Sequence, residues 1–284
     1  MIYISYLRFT FYIVLVLFNK IKIMEKKQGI IALLAVLLIS GSLQAQKTLL
    51  SEAEIVFYLG MEGTSGKNGM AVAYNPENQY YYAIIGGNSS FPVEVFDKNG
   101  DHLYETNTGF DSRGLWYNIK EKRLEGKSYG NEIYYYTLNS EGFPVRVDKA
   151  KVSSLKDAGE QNVAIYDEKS NQIIVFNNGK LYFYSAKNGK LKKSIPIRRT
   201  DDEYNYVDRS FVWTGVKGME AAFFNLDSYK LEFYDIKTGQ KSGEIYIPLD
   251  FYPESQFNIS YANNYFFVYD VEYKEWGCWK IWRE

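Results

Sequence analysis

From about residue 54 onward, short apolar runs alternate with polar turns, and the runs are too short for helices. The clearest stretch is 162–197. Asn162 to Asp167 reads as a strand closed by the polar turn Glu168 to Asn171, and Gln172 to Phe176 reads as a second, turned by Asn177 to Lys180. Leu181 to Tyr184 reads as a third, and after Lys187 to Lys190 the segment Leu191 to Ile197 reads as a fourth. Apolar runs bounded by Asn-Gly turns are the signal of antiparallel hairpins. No apolar period of 3.6 residues follows Ala45, so the pattern there predicts strands without amphipathic helices.

One part of this unit recurs: an aromatic or aliphatic run, a polar pair, then a turn bearing glycine. It appears at Val93 to Gly100, Ile133 to Gly142, Leu181 to Gly189 and Leu231 to Gly239. Taking Phe96, Tyr136, Tyr184 and Tyr234 as anchors, the gaps are 40, 48 and 50 residues. Four antiparallel strands recurring about every 45 residues predict the blades of an all-β propeller. Gly69 to Pro76 followed by Tyr80 to Ile84 looks like the opening strands of such a repeat. The arrangement resembles the bacterial propeller repeats of the NHL, YVTN and TolB-like kind. The Trp-Asp pair of WD repeats is absent, and no kelch-type double-glycine repeat is visible.

The two ends fit a ring. The last segment supplies only three strands, at Phe257 to Tyr261, Tyr265 to Tyr269 and Gly277 to Trp282. The missing outer strand is expected from Glu54 to Leu59, which reads much like Glu244 to Leu249. Closure by a strand from the other end would remove an exposed sheet edge. This predicts five four-stranded blades, at about 70–110, 114–148, 162–197, 210–249, and 257–284 with 54–59. Six smaller blades are the alternative count, and a two-sheet sandwich is the alternative fold.

Ahead of the repeat lies a different pattern. From Met24 a short basic start leads into an apolar run, Gly29 to Ser40, and then to Ala45. This is the form of a secretory signal segment, and the run is shorter than the ~20 residues that span a bilayer. The expected organisation is a targeting segment over 1–45, with cleavage near Ala45, and one propeller domain over 46–284. Met24 is the expected start, with 1–23 an upstream extension; an anchored N-terminus using Ile2 to Phe18 is the alternative, and the only route to a membrane. The product is expected in the periplasm or outside the cell.

Composition narrows the chemistry. The 27 Tyr, 18 Phe and 5 Trp suit pleated, half-buried surfaces. Taking away 1–45 removes five cations and one anion and leaves 28 positive against 33 negative residues, which disfavours a nucleic-acid partner. The single Cys278 cannot form an internal disulfide, and with the single His102 it assembles no Cys/His metal cluster. His102 follows the turn Asn99 to Asp101 and is expected to be solvated there. No metal motif identifies a cofactor, although carboxylate-rich loops are compatible with calcium.

In a propeller the first strand of each blade lines the central channel, and the loops leading into those strands ring one face. Here these loops carry Asp111 and Arg113, Glu160 and Gln161, and Asp208 and Arg209, with Glu62, Asp157 and Glu254 nearby. These six are the candidate ligand-binding residues. Asp111, Glu160 and Asp208 could also form an acid/base pair of glycosidase type, although turns are rich in Asp for local reasons alone. Trp213, Trp276 and Trp282 are either core or stacking platforms, with core the better reading. The leading functional expectation is an exported module that binds a protein or glycan at the cell envelope. A secreted carbohydrate-active hydrolase and a structural envelope module are the alternatives.

Overall fold

The computed structural model describes residues 47–63, 66–149, 152–199, 205–254 and 256–283, so the expectations for residues 1–45 lie outside the described residues. Every regular element among them is a strand. β1 (Leu49–Gly60) comes first. β2 (Asn68–Asn75), β3 (Tyr80–Gly86), β4 (Pro92–Phe96) and β5 (His102–Asn107) form one antiparallel sheet. β6 (Ser112–Asn118), β7 (Arg123–Ser128), β8 (Ile133–Leu138) and β9 (Pro144–Lys149) form the next. A third comprises β10 (Ala164–Asp167), β11 (Gln172–Asn177), β12 (Lys180–Ser185) and β13 (Leu191–Pro196). A fourth group is β14 (Val212–Trp213), β15 (Ala221–Asn225), β16 (Lys230–Asp235) and β17 (Gln240–Tyr246). The last is β18 (Ile259–Ala262), β19 (Tyr265–Asp270) and β20 (Glu275–Trp282), completed by β1.

Turn chemistry explains where the strands end. Asp97 accepts hydrogen bonds from the backbone N–H of Asn99 and Asp101, Asn139 from those of Glu141 and Phe143, and Asp235 from that of Lys237. Such Asx turns reverse the chain between the third and fourth strands. The recurring segment therefore falls on β4, β8, β12 and β16 with the turns that follow. The anchor aromatics Phe96, Tyr136, Tyr184 and Tyr234 hold equivalent buried positions, pairing with Tyr81, Leu124, Ile173 and Ala221 of the preceding strands. In the second sheet the register shift comes two residues later, at Leu138.

The inner strands β2, β6, β10, β14 and β18 are neighbours in that cyclic order, with β18 returning to β2. Apolar clusters fill the spaces between successive groups. Leu124, Tyr136 and Val95 pack between the first two; Trp116 and Tyr184 between the second and third; Phe183 and Phe223 between the third and fourth. Phe233 meets Trp282 between the fourth and last, and Tyr81 meets Phe267 between the last and the first. Both faces of each sheet are thereby buried, so consecutive aromatics such as Tyr81 and Tyr82 are both in core. Cyclic packing of radially arranged four-stranded sheets is a β-propeller.

β1 closes the ring as the outer partner of β20, running antiparallel from Leu49↔Trp282 to Gly60↔Glu275. Two register shifts bend it, and at Glu52↔Tyr246 it also pairs, parallel, with β17. The outer strands of the last two groups thus merge into one eight-stranded sheet. This link is absent from the sequence reading because it depends on the extra length of β1 before Glu54.

Candidate functional site

At the inlet end, where loops enter the inner strands, the structure brings several candidate residues together. Arg113 is buried. Its Nη1 donates to Asp111 and to the Ser112 carbonyl, and its Nε donates to Gln161 Oε1 at 3.0 Å. The guanidinium also lies 5.3 Å from the Tyr129 ring and 5.7 Å from the Phe257 ring. Asp111 in turn accepts from the Gly87 N–H at 2.7 Å. These partners belong to segments serving four of the groups, so Arg113 ties the inlet loops together. Gly114, with φ +128°, permits it: a Cβ there would stand 2.3 Å from the Ala164 carbonyl oxygen.

Glu160 belongs to the same network through its backbone. Its carbonyl and that of Gly159 accept from Lys127 Nζ, both at 3.1 Å. Lys127 has no solvent exposure, and burial, with the neighbouring Arg113 charge, pushes its pKa down to about 7. Glu160 raises the pKa of the Tyr129 hydroxyl by hydrogen bond and by charge. Asp208 and Arg209 stand apart as a half-exposed pair, 3.6 Å from each other, with Arg209 reaching Asn162 at 3.4 Å. Lys127 is absent from the sequence-level candidates, because its strand, Arg123–Ser128, has no apolar run that would set a buried lysine apart.

The channel widens toward the opposite, outlet end into a cavity of about 730 Å³. Met70, Val163 and Ser210 line it near the inlet, and Glu168, Lys169, Asn263 and Asn264 stand at its mouth. Each inner strand also contributes an aromatic at its outlet end, Tyr74, Tyr117, Tyr166, Trp213 and Tyr261, with Trp116 of β6 beside them. The five outlet-end rings occupy equivalent positions, since each pairs with the second residue of the following strand or its register equivalent (Tyr81, Leu124, Ile173, Ala221 and Phe266). The rings are braced. Tyr166 Oη donates to Asn171 Oδ1 at 2.9 Å, Tyr261 Oη accepts from Trp282 Nε1 at 2.8 Å, and Trp213 sits edge-on to Phe183. The sequence signal was an aromatic placed just before each first turn. Trp213, Trp276 and Trp282 are all buried in core, and Trp213 also contributes to the cavity wall.

The chemistry on offer is that of a binding cavity: aromatic rings, hydroxyls, amides and a few charges. Among the described residues, carboxylates line the cavity only from one turn, as Asp167 and Glu168, and Asp167 already accepts from the Ser170 backbone and hydroxyl. At the inlet, Asp111 is committed to Arg113. His102 lies away from the channel on the first sheet, one-fifth exposed rather than solvated, between Glu62 and the buried Glu94.

No family model matches the chain, and no curated protein matches it. Among solved structures it is similar to the β-propeller domain of Cps50 (Swd1) from Myceliophteria thermophila, with 9% identity and a TM-score of 0.47, over 80% of this chain and 99% of that one. It is similar to a protein of unknown function from Bacteroides thetaiotaomicron VPI-5482, with 9% identity and a TM-score of 0.49, over 82% and 76%. A chain of a nidogen/laminin complex shows 10% identity and a TM-score of 0.39, over 62% of each. At such identities nothing about activity transfers.

Proposed function

We propose that this protein is an exported, non-catalytic binding module of the cell envelope that receives a protein or glycan partner at the outlet mouth of its channel. The observation that carries this reading is the cavity of about 730 Å³, lined by at least one aromatic from every inner strand. A concave site with apolar walls and a few placed polar groups is the usual form of a ligand pocket. Rings supply stacking area for a sugar or a side chain, while Asn263, Thr214 and Lys169 orient its polar groups. Export rests on the segment from Met24 to Ala45. The inlet residues Asp111, Arg113, Glu160 and Gln161 tie the inlet loops together in this reading. Asp208 and Arg209 offer a secondary contact on a face that also exposes Tyr129, Tyr252 and Tyr273.

The test is thermal unfolding of the purified protein against oligosaccharides, cell-wall fragments and purified envelope proteins. A ligand at a hundred times its Kd should raise Tm by roughly 5–10 °C. The double variant Glu168→Ala, Lys169→Ala, altered only at exposed mouth positions, should keep its own Tm and bind at least about fivefold more weakly, a loss of ~1 kcal/mol. Full affinity in that variant, with loss in Asp208→Ala, Arg209→Ala, would move the site to the inlet face.

A further inference from the structure

On the first sheet, away from the channel, two glutamates share a face without a strong cation between them. Glu94 on β4 pairs directly with Glu105 on β5. The register then shifts by one residue, so that Phe96 faces His102 and Leu103 is the extra residue. That bulge turns His102 onto the face of Glu94 and Glu105, as bulges commonly re-aim a side chain. One donor atom from each of Glu94, His102 and Glu105 lies within 4.8 Å of the other two.

The fourth group contains the same arrangement with the cation present. Glu232 pairs with Glu244, a shift follows, and Tyr234 faces Lys241. Lys241 Nζ there stands 2.9 Å from Glu232 and 2.7 Å from Glu244. At the three equivalent positions of the first sheet the carboxylates remain and the lysine is replaced by histidine. No Lys or Arg pairs with Glu94 or Glu105 among the described residues.

Two buried polar atoms sharpen the contrast. His102 Nε2 is shielded from water and makes no hydrogen bond, standing 3.4 Å from Glu94 Oε2. The hydroxyl of Tyr269, a residue with no solvent exposure, also lacks a partner and lies within electrostatic reach of Glu94. The other histidine nitrogen, Nδ1, is 3.6 Å from Glu62. A histidine that ligates a metal typically presents its second N–H to a carboxylate in this way. Bonds of ~2.1 Å in a tetrahedral site put neighbouring donors ~3.4 Å apart.

We propose that Glu94, His102 and Glu105 bind a divalent cation of the zinc class, with a water as fourth ligand and Glu62 orienting the histidine. The nitrogen donor favours zinc over calcium, which takes six or more oxygens. The site also has a mechanical consequence. Glu94 accepts hydrogen bonds from the N–H groups of Glu62 and Gly63, the segment that leaves the ring-closing strand β1. A metal here fastens the closing strand to the first sheet.

The experiment uses tag-free protein, stripped with chelator and titrated with zinc chloride or calcium chloride. The expected result is one equivalent of zinc per chain by elemental analysis and a Tm rise of roughly 5 °C or more at saturation. Calcium should leave Tm unchanged. His102→Gln should fold, and lose both the bound zinc and the Tm response. His102→Lys, which copies Lys241, should bind no zinc and unfold without metal near the Tm of the zinc-loaded wild type. Absence of bound zinc in the wild type, or a zinc response that persists in His102→Gln, would overturn the proposal.

Discussion

Lys127 is the side chain whose burial costs the molecule most clearly. Its ammonium is fully enclosed, held by the Gly159 and Glu160 carbonyls and faced by Arg113, Asp111, Glu160 and Glu132. The folded pKa of about 7 lies below the ordinary 10.5, so between these values the unfolded chain binds more protons than the folded one. Stability should therefore rise with pH from about 7 toward 10.5, by at most roughly 3–5 kcal/mol, and be insensitive to this group below 7. Melting curves at pH 7 and pH 10 should show Lys127→Met with a rise several degrees smaller than the wild type. Equal slopes would mean that Lys127 keeps its ordinary affinity for protons. At this scale the sequence was partly legible. Loop position brought out Asp111, Arg113, Glu160 and Gln161, which do converge, because loops entering neighbouring inner strands must meet around the channel. Lys127 and the Glu94, His102 and Glu105 set were not legible. The first sits mid-strand, and the second depends on a one-residue bulge that no local pattern announces.

Strands were easier to read than side-chain sites, because turn chemistry acts locally. The hairpins of 162–197 fall within a residue or two of the reading, since Asn and Gly fix where each chain reversal occurs. The anchor aromatics keep one register, Tyr136 on Leu124 as Phe96 is on Tyr81, Tyr184 on Ile173 and Tyr234 on Ala221, because each packs into the same buried position between neighbouring sheets. In β1 the alternation is legible but its consequences are not. Leu59 is wholly buried against Phe57, Tyr81 and Trp276 in the seam between the last and first sheets, while Val56 is half exposed. Leu59→Ala should cost about 2–5 kcal/mol in urea unfolding and Val56→Ala within ~0.5 kcal/mol. Similar small costs for both would mean that the outer strand is not packed into the seam.

At the scale of the whole molecule, stability depends on a ring with no free seam. Each sheet buries both faces only if its two neighbours are present, so opening any one junction exposes apolar surface on two sheets at once. The junction most open to manipulation is the one made by β1, because that strand is supplied from the opposite end of the domain. It covers the edge of β20 through pairs from Leu49↔Trp282 to Gly60↔Glu275, touches β17 at Tyr246, and anchors Arg283 through the Thr48 carbonyl at 2.9 Å. A chain beginning at Met61 would leave that β20 edge bare, and a bare edge beside Trp279 and Ile281 is a template for association. Such a variant should melt well below the wild type and sediment as oligomers. A synthetic peptide of residues 47–60, added during refolding, should restore the monomer and raise Tm by supplying the strand in trans, as in donor-strand complementation. A peptide with the same composition in scrambled order should not, because the alternation that places Ala53 and Leu59 inward is lost. If the shortened chain stayed monomeric with an unchanged Tm, closure would reside in the inner strands alone, and β1 would be a cover rather than a clasp.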